Sequence, residues 1–172
     1  MFFKQFRTLS LQKNITSILK SRIKNFKSDK VSSIGVIFDY DSYHNYDFFR
    51  NLFKEMGINE NKIRFIAMVN LEKNKPNSWD SFFSLDNFDW LGRPKSYEIE
   101  EFIEQPFDLL ISYYKPNQLE LNLVTSSSKA NFKIGITNED TRLHDLTIDI
   151  EPENTEVFKI ELIKYLTQLN RL

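Results

Sequence analysis

The sequence predicts one α/β domain built on a mostly parallel, five-stranded sheet with helices on both faces. Three observations predict it. Short apolar runs recur along the chain, helical patterns of about ten residues alternate with them, and 16 Phe and 7 Tyr in 172 residues supply the apolar surface needed to offset backbone ordering. A chain of this length has room for one core.

The first element is helical. Leu11, Ile15, Ile18, Leu19, Ile23 and Phe26 recur at spacings of three and four, with Lys13, Lys20, Arg22, Lys24 and Lys27 mostly between them. Ser28-Asp29-Lys30 is a polar break. Ser33-Ile34-Gly35-Val36-Ile37-Phe38 then has the continuous apolar character of a strand buried on both faces. Asp47 can cap a helix with the face Phe48, Phe49, Leu52, Phe53 and Met56, and Gly57 supplies a left-handed residue to end it. A second strand is predicted over Ile63–Val69. Residues 70–95, with Pro76, Trp79, Trp90, Gly92 and Pro94, have no sustained period and form an irregular excursion with room for one short edge strand.

Ser96 can cap a helix running through Ile103, Phe107–Ile111 is a third strand, and Pro116 can open a helix containing Leu119, Leu123 and Val124. Strands over Phe132–Ile136 and Leu146–Ile150 follow. Asn154 then precedes a helix with Phe158, Leu162, Tyr165, Leu166 and Leu169 on one stripe. With right-handed crossovers, these elements predict a three-layer, Rossmann-like or flavodoxin-like domain of strand order 2-1-3-4-5 over residues 31–172. Residues 1–30 are predicted to add a basic amphipathic helix outside that sheet.

Charge divides at the same place. Residues 1–30 hold eight Lys or Arg and one Asp, a net of +7; the chain's total of -1 leaves -8 for residues 31–172. The basic helix has three readings. Its stripe can pack on its own domain or on a second copy; Phe2, Phe3 and Phe6 can enter a lipid headgroup layer while lysines meet anionic lipid; or residues 1–27 can neutralise RNA phosphates. The absence of cysteine excludes disulfides, thiolate nucleophiles and zinc-thiolate sites, and fits a reducing cytoplasm. No apolar run is long enough for a transmembrane helix or a signal peptide.

The four glycines, Gly35, Gly57, Gly92 and Gly135, are too far apart to build either G-x-G-x-x-G or a Walker A loop, which excludes both standard nucleotide cradles. Gly35 and Gly135 fall inside strands, where a missing Cβ allows a helix to cross closely. In open parallel sheets, ligands bind at the carboxyl ends of the strands. The residues just past the apolar runs are polar here: Asp39, Asp41, Tyr43 and His44; then Asn70; then Ser112, Tyr113, Tyr114 and Lys115; then Thr137, Asn138, Glu139 and Asp140. His44, Tyr113, Tyr114, Lys115 and Asn138 form the expected ligand-binding rim. His44 and His144 are the only histidines, and both are expected in solvated loops.

Val36-Ile37-Phe38-Asp39-Tyr40-Asp41 resembles the strand-then-D-x-D motif of haloacid-dehalogenase-type phosphatases. That resemblance implies Asp39 as the nucleophile and Asp41 as the acid/base. It also implies magnesium held by Asp39, Glu139 and Asp140, with Lys129 neutralising phosphate. The pattern departs from that family at Ser42, where Thr or Val is usual, and after Val69, where Asn70-Leu71 replaces a Ser or Thr. The segments Lys75–Trp79, Phe107–Tyr114 and Ser128–Gly135 resemble an uncharacterised bacterial family, found chiefly in Bacteroidota, along the whole chain. That likeness implies a bacterial cytoplasm and carries no activity. The resulting expectation is a non-catalytic binding or scaffold module without a cofactor, and the alternative is a magnesium-dependent phosphohydrolase using Asp39 and Asp41.

Overall fold

A computed structural model of the chain describes residues 2–24, 29–43, 45–70, 81–136 and 140–172, with the side chains of residues 2–4 left aside. The core is a six-stranded, wholly parallel sheet. In chain order its strands are β1 (Ile34–Asp39), β2 (Ile63–Met68), β3 (Phe82–Phe83), β4 (Leu109–Tyr113), β5 (Lys133–Gly135) and β6 (Leu146–Thr147). Their spatial order is β3-β2-β1-β4-β5-β6. The five strands expected from sequence keep their predicted neighbours. The correction is the sixth, a two-residue edge strand inside the excursion, and counting it turns the order into that of a Rossmann sheet.

β1 and β4 are buried throughout because both of their faces are covered. Ile34, Val36 and Phe38 of β1 and Leu109, Ile111 and Tyr113 of β4 enter one cluster, whereas Ile37, Leu110 and Tyr114 enter the other. Two helices cover the first cluster: α2 (Tyr46–Glu55) through Phe49, Leu52 and Phe53, and α5 (Thr155–Gln168) through Phe158, Leu162 and Leu166. On the other side lie α3 (Tyr97–Glu104) and α4 (Leu119–Ser127). The chain steps along the sheet in one direction through α2 and in the other through α3 and α4, so crossovers of a single hand place them on opposite faces.

Helix starts differ in detail from the sequence reading. The side chain of Asn45, not Asp47, caps α2 by accepting from the Phe48 amide at 3.1 Å. α4 begins at Leu119 with Gln118 as its cap residue, three positions beyond the helix start expected at Pro116. The left-handed Gly57 follows α2 as expected, with φ +78°.

The basic helix α1 (Phe2–Ser21) lies across α4 as an outer strap. Leu11, Ile15 and Leu19 are buried in the α3–α4 cluster. Near its start Arg7 donates to the Leu85 carbonyl at 2.5 Å and Asn14 to that of Leu91 at 2.7 Å. Just past its end Arg22 pairs with Asp145 at 2.6 Å and donates to the carbonyl of Arg142 at 3.1 Å. The strap explains α4. From Leu121 to Ser126 every residue of α4 is buried, since it has the sheet on one side and α1 on the other. Its inward polar groups are matched by the sheet: Thr125 Oγ1 bonds Tyr114 at 2.7 Å and Ser112 at 3.1 Å, and Asn122 accepts from Tyr114 at 3.1 Å.

Candidate functional site

In a sheet of this order β1 is the strand from which the chain turns both ways, so the crevice to inspect lies between the carboxyl ends of β1 and β4. Asp39 is the last residue of β1, one position beyond the Phe38–Tyr113 pair. It is 5 % exposed. Its Oδ1 accepts from the Asp41 amide at 3.2 Å, and its Oδ2 accepts from the Ser42 hydroxyl at 2.5 Å and from Gln118 Nε2 at 3.3 Å. The Asp39 carbonyl also receives the amides of Ser42 and Tyr43. Asp41 accepts from the Asn70 amide at 3.2 Å, which fixes the end of β2 to the same loop.

Both acidic residues of the D-x-D pair are therefore brought together at the switch point, and both organise backbone. A carboxylate that attacks phosphorus presents a lone pair outward. Each Asp39 oxygen already accepts a bond from within the chain, which is the geometry of a loop anchor. The Gln118 bond spans the crevice from the β4 side. Gln118 follows Asn117, whose left-handed φ of +66° turns the chain into α4. Sequence reasoning missed Gln118 and met Ser42 only as a departure from the phosphatase pattern; Pro116-Asn117 signals a turn but not what that turn faces.

The rest of the crevice is filled with rings. Tyr43 packs on Tyr113 with centroids 5.0 Å apart, and Tyr113 packs on Phe49 and Phe158 at the same distance. The Tyr113 hydroxyl donates to the Pro152 carbonyl at 2.8 Å. Burial pushes the Tyr43 hydroxyl up to about 12 and the Tyr113 hydroxyl well above its usual range, so neither titrates near neutrality. Tyr113 and Tyr114, both expected on the ligand-binding rim, point to opposite faces and are buried in the two core clusters. Lys115, at the rim, lies 3.6 Å from each of Glu151 and Glu153.

Other residues singled out from sequence lie elsewhere. Asp140 forms a two-point pair with Arg142, with Nε 3.0 Å and Nη2 2.7 Å away, and that hydrogen-bonded guanidinium holds its carboxyl below the usual range. Lys129 precedes β5, at the edge of the sheet opposite Asp39, and pairs with Glu104 of α3. His44, Asn138 and Glu139 lie outside the described residues, as does Trp79. Among the described residues, no group of three or more His, Cys, Asp or Glu is arranged to hold a metal ion.

His144 corrects a second expectation. It is buried, not solvated, and its ring fills the space left by the missing Cβ of Gly135; a methyl group there would come within 3.0 Å of three imidazole atoms. Gly135 thus makes room for a histidine where close helix packing was expected. Gly35 does the same for the Phe107 ring. Burial, reinforced by the positive charges of Lys133 and Arg22, pushes His144 down to about 3. Lys133 itself is buried on β5 and donates to the Thr125 and Ser126 carbonyls at the end of α4, at 2.6 and 3.2 Å. Burial, with Arg22 nearby, lowers its amine to about 7.

One opening lies beside α1. A groove of about 460 Å³ runs between α1 and the 84–95 segment, lined by Arg7, Leu11, Leu85, Phe88, Trp90 and Lys95 among others. Trp90 is 57 % exposed. The outward side of α1 continues from there with Phe6 and Leu9, 68 % and 56 % exposed, above the exposed Lys13 and Lys20.

Residues 7–169 match the Family of unknown function (DUF6913). The chain belongs to that family. The match begins inside α1 and ends just past α5, so α1 and the sheet domain both fall within one family unit. No curated protein and no solved structure matches the chain. Among the described residues, no helix is long and apolar enough to cross a membrane.

Proposed function

We propose that the protein is a non-catalytic binding or scaffold module, working in a bacterial cytoplasm, with α1 as its contact element. One observation carries the reading. The inward stripe of α1 is already used on α4, yet its outward side still presents Phe6 and Leu9 beside Lys13 and Lys20, and no acidic residue occurs anywhere in the helix. Large exposed apolar groups adjoining one another beside cations form a surface that a partner can cover. The anchors at Leu85, Leu91 and Asp145 hold this surface at both ends, so binding would cost little ordering.

The test alters only the outward side. Phe6→Ser/Leu9→Ser and Lys13→Glu/Lys20→Glu are expected to leave thermal unfolding within a few degrees of wild type and to weaken self-association, binding to anionic vesicles, or binding to single-stranded RNA. If all three measurements are unchanged in both variants, the reading is wrong. The alternative, a magnesium-dependent phosphohydrolase, is favoured by the place of Asp39 and Asp41 at the switch point. It requires activity on phosphate esters that chelation and Asp39→Asn abolish, and a screen without such activity removes it.

A further inference from the structure

Two helices on the same side of the sheet carry opposite charge outward. α1 has no acidic residue over its 20 positions and exposes Lys13 and Lys20. α3, of sequence YEIEEFIE, has no basic one. It turns Ile99, Phe102 and Ile103 inward and leaves Tyr97, Glu98 and Glu100 exposed, Tyr97 at 74 %. Glu101 and Glu104 are engaged with Arg64 and Lys129. By contrast, Lys13, Lys20, Glu98 and Glu100 form no ion pair with a described residue. The relief of this side follows from the layering: α1 lies outside α4, whereas α3 lies beside α4 and against β2, so a basic ridge stands next to an acidic step.

We infer that this side of the molecule is the interface of a two-fold homodimer, in which the α1 ridge of each protomer rests on the α3 step of the other. The inference rests on the binding-module reading and names its partner as a second copy of the chain. Because α1 and α3 share one side, a single two-fold rotation brings both junctions together and closes the pair, as an isologous contact must. Lys13 and Lys20, about 10 Å apart along α1, then straddle the step to meet Glu98 and Glu100, which lie on its two flanks with the exposed Tyr97 between them. A second copy fits better than anionic lipid or RNA for a physical reason. A polyanion approaching the lysines of α1 would also face the uncompensated carboxylates of α3, which repel it, whereas a second copy satisfies both charges at once.

A charge swap on the full chain tests this. Sedimentation velocity over a concentration series is expected to show a monomer–dimer equilibrium that weakens as salt is raised. Lys13→Glu/Lys20→Glu makes both helices acidic, Glu98→Lys/Glu100→Lys makes both basic, and each variant alone is expected to associate at least about tenfold more weakly. An equimolar mixture of the two puts an acidic α1 on a basic α3 at one junction and a basic α1 on an acidic α3 at the other, so the mixture is expected to recover wild-type dimerisation. All four positions are exposed, and thermal unfolding verifies that both variants fold. A wild-type chain that stays monomeric throughout, or a mixture that fails to recover, overturns the homodimer. If the wild-type chain is monomeric but Lys13→Glu/Lys20→Glu reduces its binding to phosphatidylglycerol–phosphatidylcholine vesicles or to oligouridine, the homodimer falls and the binding-module reading stands. If those bindings are also unchanged, both fall.

Discussion

Gly135→Ala offers the sharpest test of the buried cluster beneath the end of α1. The new methyl group would lie within 3.0 Å of the Cε1, Nδ1 and Nε2 atoms of His144, well inside van der Waals contact. The ring cannot swing out freely, because the residue is 5 % exposed and Arg22 and Lys24 both donate to the backbone around it. Overpacking of this kind costs about 1–3 kcal/mol. Against it stands a gain of roughly 0.4–1 kcal/mol from the stiffer unfolded chain. A net loss of about 1–2 kcal/mol is therefore expected, or roughly 2–8 °C in Tm for a domain of this size. His144→Ala alone removes the ring and leaves a cavity, at a cost of a few kcal/mol. In Gly135→Ala/His144→Ala the methyl group enters that cavity, so Gly135→Ala should become neutral or stabilising in the His144→Ala background. Urea denaturation of the four proteins in this cycle measures the coupling. If Gly135→Ala costs the same with and without the imidazole, the ring does not occupy the space above residue 135 and the account of this glycine is refuted.

Acidification should destabilise the chain in two steps. Lys133, lowered to about 7, and His144, lowered to about 3, both bind protons more readily when unfolded, so stability falls with pH from about 10.5 to 7 through the lysine and from about 6.5 to 3 through the histidine. Each slope approaches about 1.4 kcal/mol per pH unit, and Lys133→Met should flatten the upper window alone in urea midpoints compared at pH 7 and pH 9. Asp39→Ala should cost about 2–3 kcal/mol and speed amide exchange over residues 40–43, since it leaves the Ser42 hydroxyl, the Asp41 amide and Gln118 without their acceptor. A variant with unchanged exchange there would show that the carboxylate does not anchor the loop. Phe158→Ala, which deletes a fully buried ring packed on Phe49 and Tyr113, should lower stability by about 3–5 kcal/mol; a loss below 1 kcal/mol would mean that α5 does not seat as described.

The strands and most helices were legible because their signals are local. A run such as Val36-Ile37-Phe38 reports burial on both faces wherever it occurs, and the stripe Phe49, Leu52 and Phe53 reports one face of a helix. β3 was not legible as more than an allowance within the excursion, because two residues carry no period. For the site, sequence placed Asp39 and Asp41 at a strand end but gave no sign that Gln118, 79 residues away, donates to the same carboxylate. Nor could it show His144 as buried. The residue stands among polar neighbours, and what encloses it is the space over Gly135, from another strand, and Arg22, from beyond α1.

What the sequence by itself determined is what nearest neighbours along the chain decide: the α/β alternation, the buried central strands, the missing nucleotide loops and the charge division at residue 30. Only the tertiary structure decided where that charge goes. Whether α1 stood apart or packed down depended on α4 being apolar on two sides, a property that matters only when the sheet takes one side and leaves the other bare. Burial and pairing are set by what lies across space, so the roles of Asp39, Lys133 and His144 became readable only when their partners from distant segments were in place.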